Sequence, residues 1–311
     1  MSQGGRWLIA AAKMARRMKK QRLIENSSSP QWPARVAVLG VGLLGGSVAK
    51  SLRRANPDTH LVAWARSGAK ASTLAESGIF NHVCESIEQS VDQCDVVVVA
   101  SPVSHIASLV HEAAVHSPNH CLITDVGSTK LRIAEAVDED PAACDRFVAA
   151  HPIAGSEKTG IEHAQEDLFD QKLILLTPGS RVTTPWIEKA TLFWRLTGGI
   201  IREMTPKDHD THLAAISHVP HLVSSLVAKV APRAARGLAG SGWNDITRVA
   251  AGDPQMWTAI CQENRSAISQ ELQRVREEFA RLQQIIDEAD NAQLQAWLAE
   301  AQNIKNNPPS S

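Results

Sequence analysis

Gly40-Val41-Gly42-Leu43-Leu44-Gly45 is a G-x-G-x-x-G loop placed directly after the apolar run Val36–Leu39. In such a loop the first glycine allows a tight turn. The second lets a pyrophosphate approach the main chain, and the third lets a helix pack closely on a strand. A helix opening at this point directs free N–H groups and its positive dipole end at the phosphates. The motif says little alone and much between a strand and a helix, so dinucleotide binding is expected here rather than a merely tight turn. Gly40, Gly42, Leu43, Leu44 and Gly45 are read as cofactor contacts.

Three further segments end apolar runs and would meet the same ligand, because ligands sit beyond the carboxyl ends of parallel strands. Ser101-Pro102 follows Val96–Ala100, Asp125-Val126-Gly127-Ser128-Thr129-Lys130 follows the next run, and His151-Pro152-Ile153-Ala154-Gly155-Ser156-Glu157 follows the run after that. Ser101, Pro102 and Asp125 join the expected cofactor contacts. His151, just past a strand end, has the chemistry of an acid/base group. From the residues alone, a structural or merely exposed histidine remains open.

An acidic residue about twenty positions after the glycine loop normally binds the ribose 2′-hydroxyl of NAD. Here the chain reads Trp64-Ala65-Arg66-Ser67, without a carboxylate. Arg66 and Ser67 can instead hold a 2′-phosphate, which leans the expectation for NAD(P)+ toward NADP+. An NAD enzyme that lacks the usual acid stays open.

The elements that must position these groups are legible as two patterns. Val36–Leu39, His60–Trp64, Val96–Ala100, Cys121–Asp125, Phe147–Ala150, Leu173–Thr177 and Gly199–Met204 read as strands. Several are near-continuous apolar strings, as in strands buried on both faces. Helical stretches between them predict right-handed crossovers and a mostly parallel sheet. After Thr205-Pro206 only helices are expected. One spans Lys207 to Val230 with a bend near Pro220, and another starts at Asp253-Pro254 with Asp253 as cap. Ile268, Leu272, Val275, Phe279, Leu282 and Ile286 form a heptad-spaced seam. It serves either one buried face within a monomer or, the preferred reading, a contact between subunits. The expected class is therefore α/β, a Rossmann-type dinucleotide-binding domain over 34–205 followed by an all-helical domain over 206–304. A basic extension occupies 1–33 and a disordered tail 305–311.

With 43% hydrophobic and 21% charged residues in 311, the chain has the composition of a globular protein. A formal net charge of −1 gives no reason to expect nucleic acid or a membrane surface as partner. No segment is read as long and apolar enough to cross a bilayer. Trp7–Ala12 precedes its basic cluster, the reverse of a secretory signal. Five scattered cysteines, none in a C-x-x-C pair, suggest free thiols in a reducing, cytoplasmic setting. His209, His212, His218 and His221 recur at helical spacings, but nothing completes a ligand set, so no metal is expected.

Taken together, GVGLLGG at 40–46, DVGSTK at 125–130, HPIAGSE at 151–157, LFDQKLILLTP at 168–178, SHVPH at 217–221 and NDITRVAAGDPQMW at 244–257 resemble the prephenate/arogenate dehydrogenase family. The resemblance runs from Val36 to about Asn264. It implies oxidative decarboxylation of a cyclohexadienyl substrate, prephenate or arogenate, on the way to tyrosine, by a homodimer joined through the helical domain. It makes His151 the partner and base for the ring hydroxyl, Ser128 the group that orients His151 or that hydroxyl, and Arg248 the anchor of a substrate carboxylate. That last role suits a forked guanidinium. His218 and Glu157 would lie near the substrate side chain, and Trp257 by the pocket rim. Arg248 also has a plainer reading, as a salt-bridge partner.

Other classes fit less well. A short-chain dehydrogenase needs a catalytic tyrosine, and the chain has none. A β-hydroxyacid dehydrogenase would show a lysine in a glycine-rich helix start, absent from Lys207–Val230. A dinucleotide sensor would not need His151, Ser128 and Arg248 together.

Overall fold

The computed structural model describes residues 32–65, 68–155 and 158–307. The chain divides into two compact units, Met1–Ser128 with Ile133–Met204, and Thr129–Arg132 with Thr205–Ser311.

The first unit follows the order β1 (Arg35–Leu39), α1 (Leu43–Ala55), β2 (His60–Trp64), α2 (Gly68–Glu76), β3 (His82–Cys84), α3 (Ile87–Val91), β4 (Val96–Val99), α4 (Val103–His116), β5 (Leu122–Asp125), α5 (Leu131–Asp138), β6 (Phe147–Pro152), β7 (Leu173–Pro178), α6 (Thr184–Leu196) and β8 (Ile200–Glu203). The strands pair as β3-β2-β1-β4-β5-β6-β7-β8. The first six run parallel. Val96 to Val99 are completely buried, because helices cover both faces of the central strands and leave no polar side to alternate with. Register brings Leu39 level with Trp64 and Val99, and Val99 level with Asp125, so the carboxyl ends of four strands share one edge. The switch in strand order falls at β1, between β2 and β4, the place where such sheets bind ligands. At the other end of the sheet Phe169, Phe193 and Trp194 pack edge to face, and Trp194 Nε1 donates to Thr124 Oγ1 at 3.1 Å.

Four details depart from the sequence reading. β3 was too short and too exposed at His82 to register as an apolar run. β6 continues through Pro152 and takes His151 into the strand, because residues 148–152 find an antiparallel partner in β7. β7 and β8 consequently run opposite to the other six strands. Trp32, within the span read as the basic extension, packs edge-on against Phe193. Residues 1–31 of that extension lie outside the described residues.

The second unit is helical: α7 (Pro206–Leu213), a π-turn over Ala214–His218, α8 (Val219–Val230), α9 (Arg233–Arg236), α10 (Ser241–Thr247), a 3-10 turn over Arg248–Ala251, α11 (Pro254–Glu263), α12 (Arg265–Asp287) and α13 (Asn291–Asn306). The helix expected over Lys207–Val230 is thus two helices joined by a π-turn, in which Val219 N–H reaches back to the Ala214 carbonyl. Pro220 brings no N–H and crowds the carbonyl one turn earlier, and the widened turn relieves both. Treated as one run, Pro206–Val230 is 25 residues with a window of mean hydropathy 1.3, long and apolar enough by length and composition to cross a membrane. This corrects the expectation that no such segment exists. His209, Asp210, His218 and His221 on that run are nevertheless buried.

Asp253 caps α11 as expected, accepting from Met256 N–H at 2.7 Å. α13 continues through Asn306, past the expected boundary at 304. Along the heptad seam of α12, Ile268 is buried, while Leu272, Phe279 and Ile286 are exposed.

Candidate functional site

The glycine loop has the shape a dinucleotide phosphate needs. Gly40 takes φ +96°, and a Cβ there would lie 2.6 Å from the Ala100 carbonyl oxygen and 2.7 Å from Ser101 Oγ. A Cβ on Gly45 would collide with the Gly40 carbonyl oxygen and press on Val38 and Ala100. Gly42 is the opposite case, since a Cβ there would meet nothing within 4 Å. Two of these glycines therefore close the strand–turn–helix corner, and the third leaves open space over the main chain. Gly42 also caps the 13-residue α1 without a side-chain hydrogen bond. The first-turn N–H groups of a helix have no acceptors within it, so they remain available to an anion. Leu43 is buried beneath the loop and Leu44 is half-buried. Ser101 sits beside Gly40, its hydroxyl 3.4 Å from the Leu39 carbonyl, and Pro102 starts α4. These residues fit a dinucleotide. Arg66 and Ser67, the expected contacts to its ribose, lie outside the described residues.

Asp125, expected among the cofactor contacts, is completely buried and turned into the fold. Its carboxylate accepts from Gly127 N–H at 2.8 Å and from Ala150 N–H at 2.9 Å. The β5–β6 ladder reaches only Ile123↔Phe147 and Thr124↔Val148. Where the strands part, main-chain donors would be left buried without acceptors, at about 1–3 kcal/mol each, and the carboxylate takes up two of them. One belongs to the residue before Ser128, the other to the residue before His151. Ser128 is half-buried at the bend after β5, and His151 is half-buried near the end of β6, opposite Leu175. Beyond it Gly155 (φ +124°) would carry a Cβ 3.7 Å from Leu44 Cδ2, so this segment returns to the glycine loop. Glu157 lies outside the described residues.

The helical unit gathers a second group. His221 stacks on Trp257 with ring centroids 3.5 Å apart and 12° between planes. His218 meets the same indole edge-on, at 6.2 Å and 79°. Gly252 permits this, because a Cβ there would lie 2.6 Å from Trp257 Nε1 and 3.0 Å from the His221 ring. Arg248 opens the 3-10 turn, which packs on α8. Its side chain is exposed and makes no ion pair among the described residues, so its plainer reading as a salt-bridge partner finds no support there. His218 is almost fully buried, and burial pushes its imidazolium down to about 4; Asp210 opposes that shift, while His209 and His221 reinforce it. His221 is lowered as well, again by burial.

Asp210 and Asn264 were not singled out in the sequence. Asp210 accepts from Lys130 N–H at 2.8 Å, Leu131 N–H at 2.9 Å and His209 Nδ1 at 2.8 Å. Asn264 lies against the Asp210 main chain and His218. Little in the sequence signalled them, because His209-Asp210 stands among other polar residues, Lys207, Asp208, Thr211 and His212.

In chemical terms the sheet unit offers an open anion cradle, with an imidazole and a hydroxyl at the ends of adjacent strands. The helical unit offers a guanidinium without an ion pair among the described residues, a neutral imidazole and an indole face.

Comparison with known proteins assigns both units. The family model for the prephenate dehydrogenase nucleotide-binding domain matches residues 48–203, and that for the prephenate dehydrogenase dimerization domain matches 205–300. Prephenate dehydrogenase of Bacillus subtilis (strain 168) is 30% identical over 282 residues, 88% of this chain and 76% of the relative. A structure of Aquifex aeolicus prephenate dehydrogenase in complex with hydroxyphenyl propionate and NAD+ superposes with a TM-score of 0.82 at 27% identity, covering 90% of this chain and 99% of that one. Synechocystis arogenate dehydrogenase superposes with a TM-score of 0.76 at 26% identity, covering 88% and 99%. With both of its units matched in chain order, this chain belongs to the prephenate dehydrogenase family of oxidoreductases.

Proposed function

We propose that the chain oxidatively decarboxylates prephenate to 4-hydroxyphenylpyruvate in tyrosine biosynthesis. The observation that carries this reading is the open main-chain cradle at Gly42 on the same sheet edge as His151 and Ser128. A bound nicotinamide would accept the hydride from the hydroxyl-bearing ring carbon. His151 takes the hydroxyl proton, and Ser128 orients that hydroxyl or the imidazole. Carbon dioxide is then lost, the ring becomes aromatic, and His151 returns its proton to the phenolate oxygen.

Gly40, Gly42, Leu43, Leu44, Gly45, Ser101 and Pro102 hold the dinucleotide, and Asp125 supports the loop from within. Arg66 and Ser67 favour NADP+ because no carboxylate stands near them in sequence to repel a 2′-phosphate. Arg248 anchors a substrate carboxylate, with His218 and Glu157 toward the side chain and Trp257 at the rim. The exposed Leu272, Phe279 and Ile286 support a homodimer through α12. Charged residues at Leu272 and Val275 together should then halve the mass seen by light scattering. Free thiols at all five cysteines support a cytoplasmic setting.

Arogenate is the second reading, favoured by the similarity to the Synechocystis enzyme. Steady-state turnover of prephenate and arogenate, each with NAD+ and NADP+, tests the proposal. Efficient use of prephenate supports it, and turnover of arogenate alone replaces it.

A further inference from the structure

His209, Asp210, His218 and Asn264 form a buried polar chain inside the helical unit, and the directions of its hydrogen bonds can be worked out in sequence. The Asp210 main-chain carbonyl can only accept. It lies 2.7 Å from one end of the Asn264 amide, which must therefore be Nδ2. The same Nδ2 lies 3.1 Å from His218 Nδ1. With its second hydrogen pointing at the ring, Nδ2 needs a lone pair on Nδ1. A neutral imidazole with a lone pair on Nδ1 carries its proton on Nε2. Turning the amide round would set Oδ1 against the Asp210 carbonyl oxygen, two acceptors face to face. An imidazolium would set two donors against each other.

We propose that Asn264 is a positioning residue that locks His218 as the Nε2–H tautomer, so that His218 offers a neutral hydrogen-bond donor to an oxygen of the substrate's side chain. The second half rests on the proposed role of His218 beside that side chain. Among the described residues Nε2 has no hydrogen-bond partner, whereas Nδ1 is held. The Trp257 indole stands nearly perpendicular to the ring, with centroids 6.2 Å apart. The charged or titratable groups acting on the ring are Asp210, His209 and His221. Asp210 is occupied by two main-chain N–H groups and by His209, so it does not reach His218 as a direct partner. Burial independently disfavours the imidazolium. Asn264 ends α11 where α12 begins, and its main-chain N–H is bonded to the Ile260 carbonyl at 2.9 Å, which fixes the amide's base.

Nitrogen-15 correlation spectra of the histidine-labelled full chain test this, with the His218 signals assigned by their loss in His218→Gln. The wild type should show one neutral His218 with its proton on Nε2 down to about pH 5.5. In Asn264→Asp an oxygen replaces Nδ2 between the Asp210 carbonyl and Nδ1. Whether it stays ionised or holds a proton for the carbonyl, Nδ1 now meets an acceptor, so His218 should move its proton to Nδ1 or titrate at least about one pH unit higher, a tenfold change in its proton affinity. KM for prephenate should then gain a pH dependence that the wild type lacks, while the pH profile of kcat keeps its shape. A wild-type His218 protonated on Nδ1, or doubly protonated at pH 7, overturns the assignment. So does a folded Asn264→Asp variant whose His218 keeps its proton on Nε2 and titrates as before. Should that variant fail to fold, the wild-type spectrum decides alone. If the wild type shows the expected tautomer but does not turn over prephenate, the failure belongs to the proposed function and not to the tautomer.

Discussion

In the sheet unit, the candidate cofactor groove is shaped by missing atoms. Gly40 and Gly45 are glycine because side chains there would strike neighbouring main chain, and Gly42 leaves its space empty. In the helical unit the candidate substrate group is shaped by side chains that hold one another. Asn264 grips His218, Trp257 carries His221 on its face, and only Gly252 repeats the logic of the loop. The contrast follows from the backbone. Parallel strands ending at one edge place main-chain donors and acceptors in register without help from side chains. Helices satisfy their own main chain, so whatever a helical unit presents to a ligand must come from side chains whose orientation is set by packing.

Perturbing each unit should therefore have a different kinetic signature. The largest effect is expected in the sheet unit. His151→Asn keeps size and hydrogen bonding but removes the base, so kcat should fall by about 10²–10⁴, the usual weight of a general base. Cofactor affinity, measured by calorimetry, should hold. Unchanged turnover would end the assignment of His151. In the helical unit, Arg248→Ala should act on KM instead. Removing the partner of a bound carboxylate costs roughly 2 kcal/mol or more, about a thirtyfold rise, with Arg248→Lys recovering only part because a point charge lacks the fork. If kcat and cofactor binding collapse together with KM, the division of labour between the units is wrong.

Asp125→Asn sharpens the comparison from within the sheet unit. The amide can accept from only one of the Gly127 and Ala150 N–H groups and turns a donor on the other, which should cost about 1–3 kcal/mol. Thermal unfolding should detect this. Since the two N–H groups precede Ser128 and His151, freeing either one should lower kcat more than it changes KM. A loss of stability with kinetics intact would make Asp125 a tie for the fold alone. The smallest effect is expected at Arg66. Arg66→Ala should shift the ratio of NADP+ to NAD+ use by a few-fold toward NAD+, about the 1 kcal/mol of one exposed ion pair. A wild-type enzyme that already prefers NAD+ would remove the basis for it.

Much of the sheet unit was legible because its signals are local. A glycine loop between a strand and a helix occupies a dozen residues, and continuous apolar runs such as Val96–Val99 report burial on both faces. His151 and Ser128 could be placed at strand ends by the same reading. The direction of β7, by contrast, depends on which edge of the sheet it joins, and no residue within Leu173–Pro178 encodes that. The π-turn at Ala214–His218 falls between these cases. Pro220 announced a disturbance, but the way the helix absorbed it was a matter of packing.

What the sequence determined by itself was whatever lies within one element or one turn: the strand periods, the cap at Asp253, and the glycine spacing. The family membership also followed, because its motifs are contiguous. Tertiary structure alone decided which polar groups meet. Asp125 and Ala150 are 25 residues apart, and Asn264 and His218 are 46 apart. A carboxylate at the end of a strand can point at a ligand or back into the sheet, and its residue type is the same either way. Asp125 turns inward because two main-chain donors are left without acceptors where β5 and β6 separate. Burial keeps His218 neutral, and a carbonyl on another helix fixes the amide that sets which nitrogen carries its proton. Both outcomes are set by the cost of leaving buried hydrogen-bonding groups unmatched, which becomes defined only once the elements have packed.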